Sequence, residues 1–147
     1  MNVLILGGTI FLGRHLVSAL QERGHTVTLF NRGVHIADDL QQIEKLHGNR
    51  DGDLSALVGR KWDAVIDTCG YVPRIVGMSA QLLAPNVDRY IFISSVSVYQ
   101  DNEGIMDETS SVIKLSDIKT EEITSETYGG LKYLCEQAAE DAMPGRV

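Results

Sequence analysis

Apolar residues along this chain come in two alternating patterns, short unbroken runs and stretches where they recur every three or four positions. Val3-Leu4-Ile5-Leu6 is apolar throughout and ends on Gly7-Gly8, as expected of a strand buried on both faces of a parallel sheet. From Phe11 to Arg23 the apolar positions fall at Leu12, Leu16, Val17 and Leu20, a helical spacing that Gly24 brings to a stop. His25 to Phe30 is β-branched and strand-like, closing on Asn31-Arg32-Gly33, so the first 33 residues form a βαβ unit. Beyond it, residues 34–41 predict a loop with a short helix, Ile43 to Asn49 a third strand, and Leu54 to Val58 a helical turn. Trp62 to Asp67 predicts a fourth strand, Pro73 to about Leu83 a helix, and Arg89 to Ser94 a fifth strand. A long polar connection then leads to a helix from about Glu126 to Met143. Strands alternating with helices imply an α/β fold, a doubly wound parallel sheet covered on both faces.

At 147 residues the chain has the size of one domain. Its final Pro144-Gly145-Arg146-Val147 reads as a turn entering a further strand, so the sequence predicts a domain that is part of a longer protein. No apolar run reaches the roughly 18 residues of a membrane span, and Met1 leads into a strand without a basic flank. No secretory leader is therefore expected, and the expected location is cytoplasmic. Cys69 and Cys135 lie far apart in apolar surroundings, which fits reduced thiols. The four histidines and the cysteines show no metal-ligand spacing, so no metal is expected. Trp62 and Tyr99 read as packing residues.

The net charge of −7 is concentrated. Residues 101–127 carry eight acids against two lysines, a balance of −6, and the remainder is close to neutral. No basic stripe for a nucleic-acid backbone is present, so nucleic acid is not the favoured partner. The acidic stretch belongs to a connection of 28 residues between Tyr99 and Tyr128, long enough to suggest a loop bordering a substrate.

The chemistry gathers at three places. Gly7-Gly8-Thr9-Ile10-Phe11-Leu12-Gly13 lies where the first strand becomes a helix. There the chain must turn tightly, and free amides at a helix N-terminus favour an anionic phosphate. Ser94-Ser95-Val96-Ser97-Val98-Tyr99 follows the fifth strand, at the sheet edge where open α/β proteins bind ligands. Tyr128 and Lys132 stand four apart on a predicted helix, so both emerge on one face about a turn apart. A phenol with a pKa of about 10 is a poor base at neutral pH, and a neighbouring ammonium favours its ionised form.

In this order the three segments resemble the short-chain dehydrogenase/reductase superfamily, in its extended, atypical, epimerase/dehydratase-like branch with a Rossmann-like fold. Gly7 and Gly13 match the outer glycines of that family's G-x-x-G-x-x-G turn, while Ile10 replaces the middle one, which implies an altered approach to the pyrophosphate. Atypical members carry a similar G-G-T-x-F-x-G turn. The resemblance implies that Gly7, Thr9, Ile10, Phe11, Leu12 and Gly13 line a dinucleotide. It places Asp53-Leu54 beside the adenine and Thr68-Cys69-Gly70 along the cofactor. The family's Ser-x-x-x-Tyr segment points to Ser95 as the serine that bonds the substrate oxygen, with Ser94 and Ser97 as competing choices. Tyr128 would exchange the proton and Lys132 would support it, the cofactor carrying the hydride.

The end of the second strand bears on which nicotinamide is used. An enzyme preferring NAD usually places a carboxylate there; this chain has Asn31 followed by Arg32, with Arg14 after the glycine turn. A guanidinium suits a 2′-phosphate, so NADP is expected ahead of NAD. The resemblance further implies a small-molecule substrate bearing a hydroxyl or carbonyl, such as a nucleotide sugar, and a homodimer. A non-catalytic branch that binds a dinucleotide or RNA is the competing class, and a fragment of the family's usual length could bind cofactor without turning anything over.

Overall fold

The computed structural model describes residues 1–34, 40–100 and 105–147. Five parallel strands form one sheet: β1 (Asn2–Leu6), β2 (Thr26–Asn31), β3 (Glu44–His47), β4 (Trp62–Asp67) and β5 (Val87–Phe92), in the order β3-β2-β1-β4-β5. The predicted doubly wound α/β sheet is the fold of the molecule. Among the described residues, α1 (Leu12–Glu22) and α2 (Pro73–Leu83) connect strands, and α3 (Tyr128–Ala142) follows the last of them. The reversal of strand order falls beside β1, whose partners are β2 on one side and β4 on the other. Such a switch point leaves a crevice at the carboxyl ends of the strands.

Strand periodicity sorts the core into two layers. Val3 and Ile5 point to the α1 side and pack with Val17, Val27, Leu29 and Ile66. Leu4 and Leu6 point the other way, into a larger cluster with Val65, Val76, Tyr90, Cys135 and Met143 under α2 and α3. Trp62 lies in this second layer. The expectation of a short helix within residues 34–41 falls mostly on 35–39, outside the described residues. Among the described residues no helix is long and apolar enough to cross a membrane.

Pairing trims the strands that the apolar runs suggested. β3 spans Glu44–His47 alone, because only these residues lie opposite Thr28–Asn31. β5 begins two residues before Arg89, since Val87 pairs with Trp62, and it ends at Phe92 opposite Asp67, where β4 also ends. Ile93 and Ser94 therefore lie beyond the strand. Their release lets the chain rise over the sheet edge. At the outer side of β5, the Tyr90 N–H donates to the Arg146 carbonyl at 2.9 Å.

Candidate functional site

The glycine turn is built by close approach. Gly7 and Gly8 adopt φ of 96° and 85°, a region that L side chains rarely enter. Gly13 lies so near the turn that a Cβ there would fall 2.5 Å from Gly8 Cα. The absence of that side chain seats α1 against β1. Thr68, just past β4, stitches the turn from the far side: its hydroxyl donates to the Leu6 carbonyl at 2.8 Å and receives the Gly8 N–H at 3.4 Å. α1 opens on Phe11 with no side-chain cap. Phe11 has φ 36° and ψ −108°, the one non-glycine residue with positive φ among those described. Ile10 and Phe11 are exposed, Phe11 by 78%, and Leu12 is partly so. A run of apolar side chains held in water at an uncapped helix start is unusual for a surface that meets only solvent.

Asn31 works as scaffolding. Its amide donates to the Gly7 carbonyl at 3.4 Å, and its side-chain oxygen accepts the Gly33 N–H at 2.9 Å. Of the two residues at the end of β2, Arg32 is thus the one left exposed to meet a ligand. Asp53 closes a small antiparallel bridge with Asn49 and accepts from the Ser55 hydroxyl at 2.6 Å. The Ser55 hydroxyl and amide hold its carboxyl below the usual range. Leu54 caps the 3-10 turn Ser55–Leu57 and packs on the larger core layer. Cys69 and Gly70 continue from Thr68 along the same edge, Gly70 buried so closely that a Cβ would lie 2.4 Å from Phe92.

Ser95 heads the 3-10 turn Val96–Val98, and its hydroxyl oxygen accepts the Ser97 N–H at 3.2 Å, leaving its own proton to donate. Ser94 differs: its hydroxyl donates to Glu136 of α3. Ser97 offers its carbonyl to the start of α3, where a Cβ on Gly129 would lie 2.0 Å from that oxygen. Gly129 therefore brings the Tyr128 end of α3 hard against the serine turn. Tyr128 is half-buried, its ring 6.5 Å from that of Tyr71. One turn on, Lys132 is only 3% exposed. Its ammonium donates to the carbonyls of Gly70 at 2.8 Å and Ile93 at 2.6 Å, and sits 4.1 Å from the Phe92 ring centroid. Burial pulls its pKa below the ordinary lysine value, against the opposing charges of Cys135, Asp67 and Glu136. Among the described residues these two carbonyls are its hydrogen-bond partners, so one of its three N–H groups remains to donate.

The glycine turn, the 68–70 turn, the serine turn and the Tyr128–Lys132 face thus meet along one edge of the sheet. They fit a dinucleotide: side chains at Gly7, Gly8 or Gly13 would strike Thr68, Leu29 or the Gly8 backbone, so the turn keeps its main chain bare, and the helix start above it lacks a side-chain cap. Absent from the sequence reading are Arg50, Ser79, Glu136 and Tyr90, which form buried polar contacts beneath this edge. The one signal for Arg50, Ser79 and Tyr90 was Asp67, an acid closing an apolar strand end that had to be paired.

The class that this architecture defines is the doubly wound, Rossmann-like α/β protein. Residues 3–143 match the NAD dependent epimerase/dehydratase family, and the chain belongs to it. Curated relatives include the chloroplast stem-loop binding protein of 41 kDa b of Arabidopsis thaliana. It is 35% identical over 114 residues, covering 67% of this chain and 30% of the relative. A 3 beta-hydroxysteroid dehydrogenase/Delta 5→4-isomerase of Mycobacterium tuberculosis is 33% identical over 79 residues, covering 53% and 21%. Among solved structures, the UDP-Glc/GlcNAc 4-epimerase of Campylobacter jejuni superposes with a TM-score of 0.77 at 16% identity, over 96% of this chain and 48% of its own. MoeE5 in complex with UDP-glucose and NAD gives 0.74 at 21% identity, over 97% and 49%. The chain spans about half the length of these structures and less than a third of the curated relatives.

Proposed function

We propose that this chain is the dinucleotide-binding portion of an NAD(P)-dependent enzyme of the short-chain dehydrogenase/reductase kind. Its substrate carries a hydroxyl or carbonyl group, and a nucleotide sugar is the class favoured by the family. The observation that carries this reading is the meeting of Ser95, Tyr128 and Lys132 with the glycine turn at one sheet edge, each brought there by a local feature: the turn after β5, the Gly129 contact and the buried Lys132 bonds.

In this reading Gly7, Thr9, Ile10, Phe11, Leu12 and Gly13 hold the diphosphate. Asp53 and Leu54 flank the adenine, and Thr68, Cys69 and Gly70 run beside the nicotinamide half. When bound, the cofactor supplies or takes up the hydride. Ser95 donates a hydrogen bond to the reacting oxygen. The Tyr128 phenol passes its proton to that oxygen in reduction, or as phenolate takes it in oxidation. Lys132 stands one helical turn away as the cationic partner of that transfer. Ser94 is disfavoured as the substrate serine because its hydroxyl already donates to Glu136.

NADP is the cofactor we favour, on the absence of a carboxylate at the end of β2 and the exposure of Arg32. Solved relatives such as MoeE5 were captured with NAD. Calorimetric titration of the chain with NADPH and NADH side by side tests both points. NADPH is expected to bind more tightly, by about tenfold or more for a pair worth 1.4 kcal/mol. Tighter NADH would reverse the preference, and failure of both to bind would overturn the reading.

The likeness to a chloroplast stem-loop binding protein favours a second reading, a family member that binds RNA. The net charge of −7 opposes it. Salt-dependent retention on single-stranded RNA would decide for it.

A further inference from the structure

Beneath the cleft lies a buried polar cluster that the reading above leaves unused. The Arg50 guanidinium, from the loop after β3, forks onto Asp67, the last residue of β4. Nη1 donates to Oδ1 and Nη2 to Oδ2, both at 2.7 Å. Nη2 also donates to Ser79 Oγ of α2 at 2.7 Å, and the Tyr90 hydroxyl of β5 donates to Asp67 Oδ2 at 2.8 Å. Asp67 is fully buried. Charges withdrawn this far from water persist only as a pair; the Arg50 Nε, also buried, has no hydrogen-bond partner among the described residues. β5 and the loop after β3 thus meet directly on this β4 carboxylate, and α2 joins them through the guanidinium.

The remaining reach of that carboxylate is toward the cleft. Asp67 Oδ1 accepts the Cys69 N–H at 3.1 Å, and a Cβ on Gly70 would lie 3.0 Å from Oδ2. The Gly70 carbonyl is in turn one of the two acceptors of Lys132 Nζ. Carboxylate and ammonium therefore grip the same three-residue turn, one by its amide and the other by its carbonyl. Both hydrogen-bond partners of Lys132 are neutral, so its compensating charge must come from further off. The groups that face it are Tyr128, Cys135 and Glu136 on its own helix, Asp67 from β4, Arg50 from the loop after β3, and the rings of Tyr71 and Phe92. Of these, Asp67 and Glu136 are the carboxylates; Glu136 stands on the same helix as Lys132, whereas Asp67 is joined to the ammonium through the 68–70 turn that both groups hold.

We propose that Asp67, clamped by Arg50, is a positioning residue for Lys132: it holds the turn that receives the ammonium and faces that buried ammonium with a compensating negative charge. The proposal rests on the reading of Tyr128 and Lys132 as the proton-transfer pair. Because Arg50 leads directly into the bridge between Asn49 and Asp53, the same clamp ties the adenine end of the cleft to the nicotinamide end.

The test needs neither substrate nor cofactor. The chain is labelled with 13C at lysine Cε and titrated by NMR, the Lys132 resonance being assigned from Lys132→Met. Asp67→Asn keeps the shape and the acceptor for the Cys69 amide while removing the charge. Lys132 is expected to lose its proton about one pH unit lower than in the wild type. Should that variant strand Arg50 and unfold the chain, Arg50→Met/Asp67→Asn removes both charges together. The displacement then keeps its direction and is smaller, because the opposing guanidinium has gone as well. A cooperatively folded variant in which Lys132 titrates where it does in the wild type overturns the proposal and assigns the pair to core stability. The dinucleotide reading fails separately, if wild-type chain binds neither NADPH nor NADH, whatever Lys132 does.

Discussion

Gly7, Thr68 and Asn31 divide between them the task of holding a strained turn open: one supplies the backbone conformation, one ties it to β4, and one ties it to β2. Single residues elsewhere carry comparable weight. Cys135 sits fully buried on α3, and burial pushes its thiol from 9.0 up to about 12, with the Lys132 charge opposing. Between those two values the folded chain keeps a proton that the unfolded chain has lost. The folded state then binds more protons, so stability falls as pH rises through that window. The slope approaches about 1.4 kcal/mol per pH unit for a thiol fully in that regime. Urea unfolding at a series of pH values above 9.0 should show this decline, and Cys135→Ala should remove one proton's share of it. Equal slopes in the two proteins would clear the thiol of any part.

The elements meet through small residues, and this can be checked at the start of α3. Gly129 touches the Ser97 carbonyl and Gly130 lies against Leu115, so the helix cannot accept side chains there. Gly129→Ala forces a Cβ into a backbone oxygen, a clash that must be relieved by moving α3 or the serine turn. We expect a loss of about 1–3 kcal/mol of stability, read from denaturant melts. An unchanged midpoint would mean that the contact has slack. At this scale the sequence was informative wherever pairing and pattern agreed. β4 and α2 run over the residues their patterns predicted, because β5 pairs with β4 from Trp62 to Asp67, β1 with it from Ala64 to Asp67, and Pro73 starts α2. β5 was misplaced by two residues, since an apolar run carries no mark of where its neighbour ends. The Tyr-x-x-x-Lys pair and the glycine turn were legible because both are local in sequence. The cluster of Arg50, Asp67, Ser79 and Tyr90 was not, because it joins four elements across the core, and nothing near Arg50 in the chain announces a buried charge.

For the whole molecule, charge is arranged so that the acidic connection is moored to the body. Arg74, on the first turn of α2, pairs with Glu121 of that connection at 2.6 Å and with Asp51 of the loop before Ser55–Leu57 at 2.7 Å. All three are exposed, so the pairs add little to global stability. Their effect is local. Arg74→Ala should leave the thermal midpoint nearly unchanged while speeding protease cleavage within residues 105–127, followed by mass spectrometry. Cleavage at the wild-type rate would reduce these ion pairs to surface ornament. Residues 3–143 match the family, and the sheet is parallel, as the alternation of strand and helix predicted; the order β3-β2-β1-β4-β5 came only from the structure.

The kink at Phe11 has a thermodynamic corollary. A backbone that folding has already forced into a rare conformation has little disorder left to surrender when an anion arrives. On the proposed reading, part of the drive for association at that corner would come from water released by the benzyl ring and its neighbours, with a negative heat-capacity change as its signature.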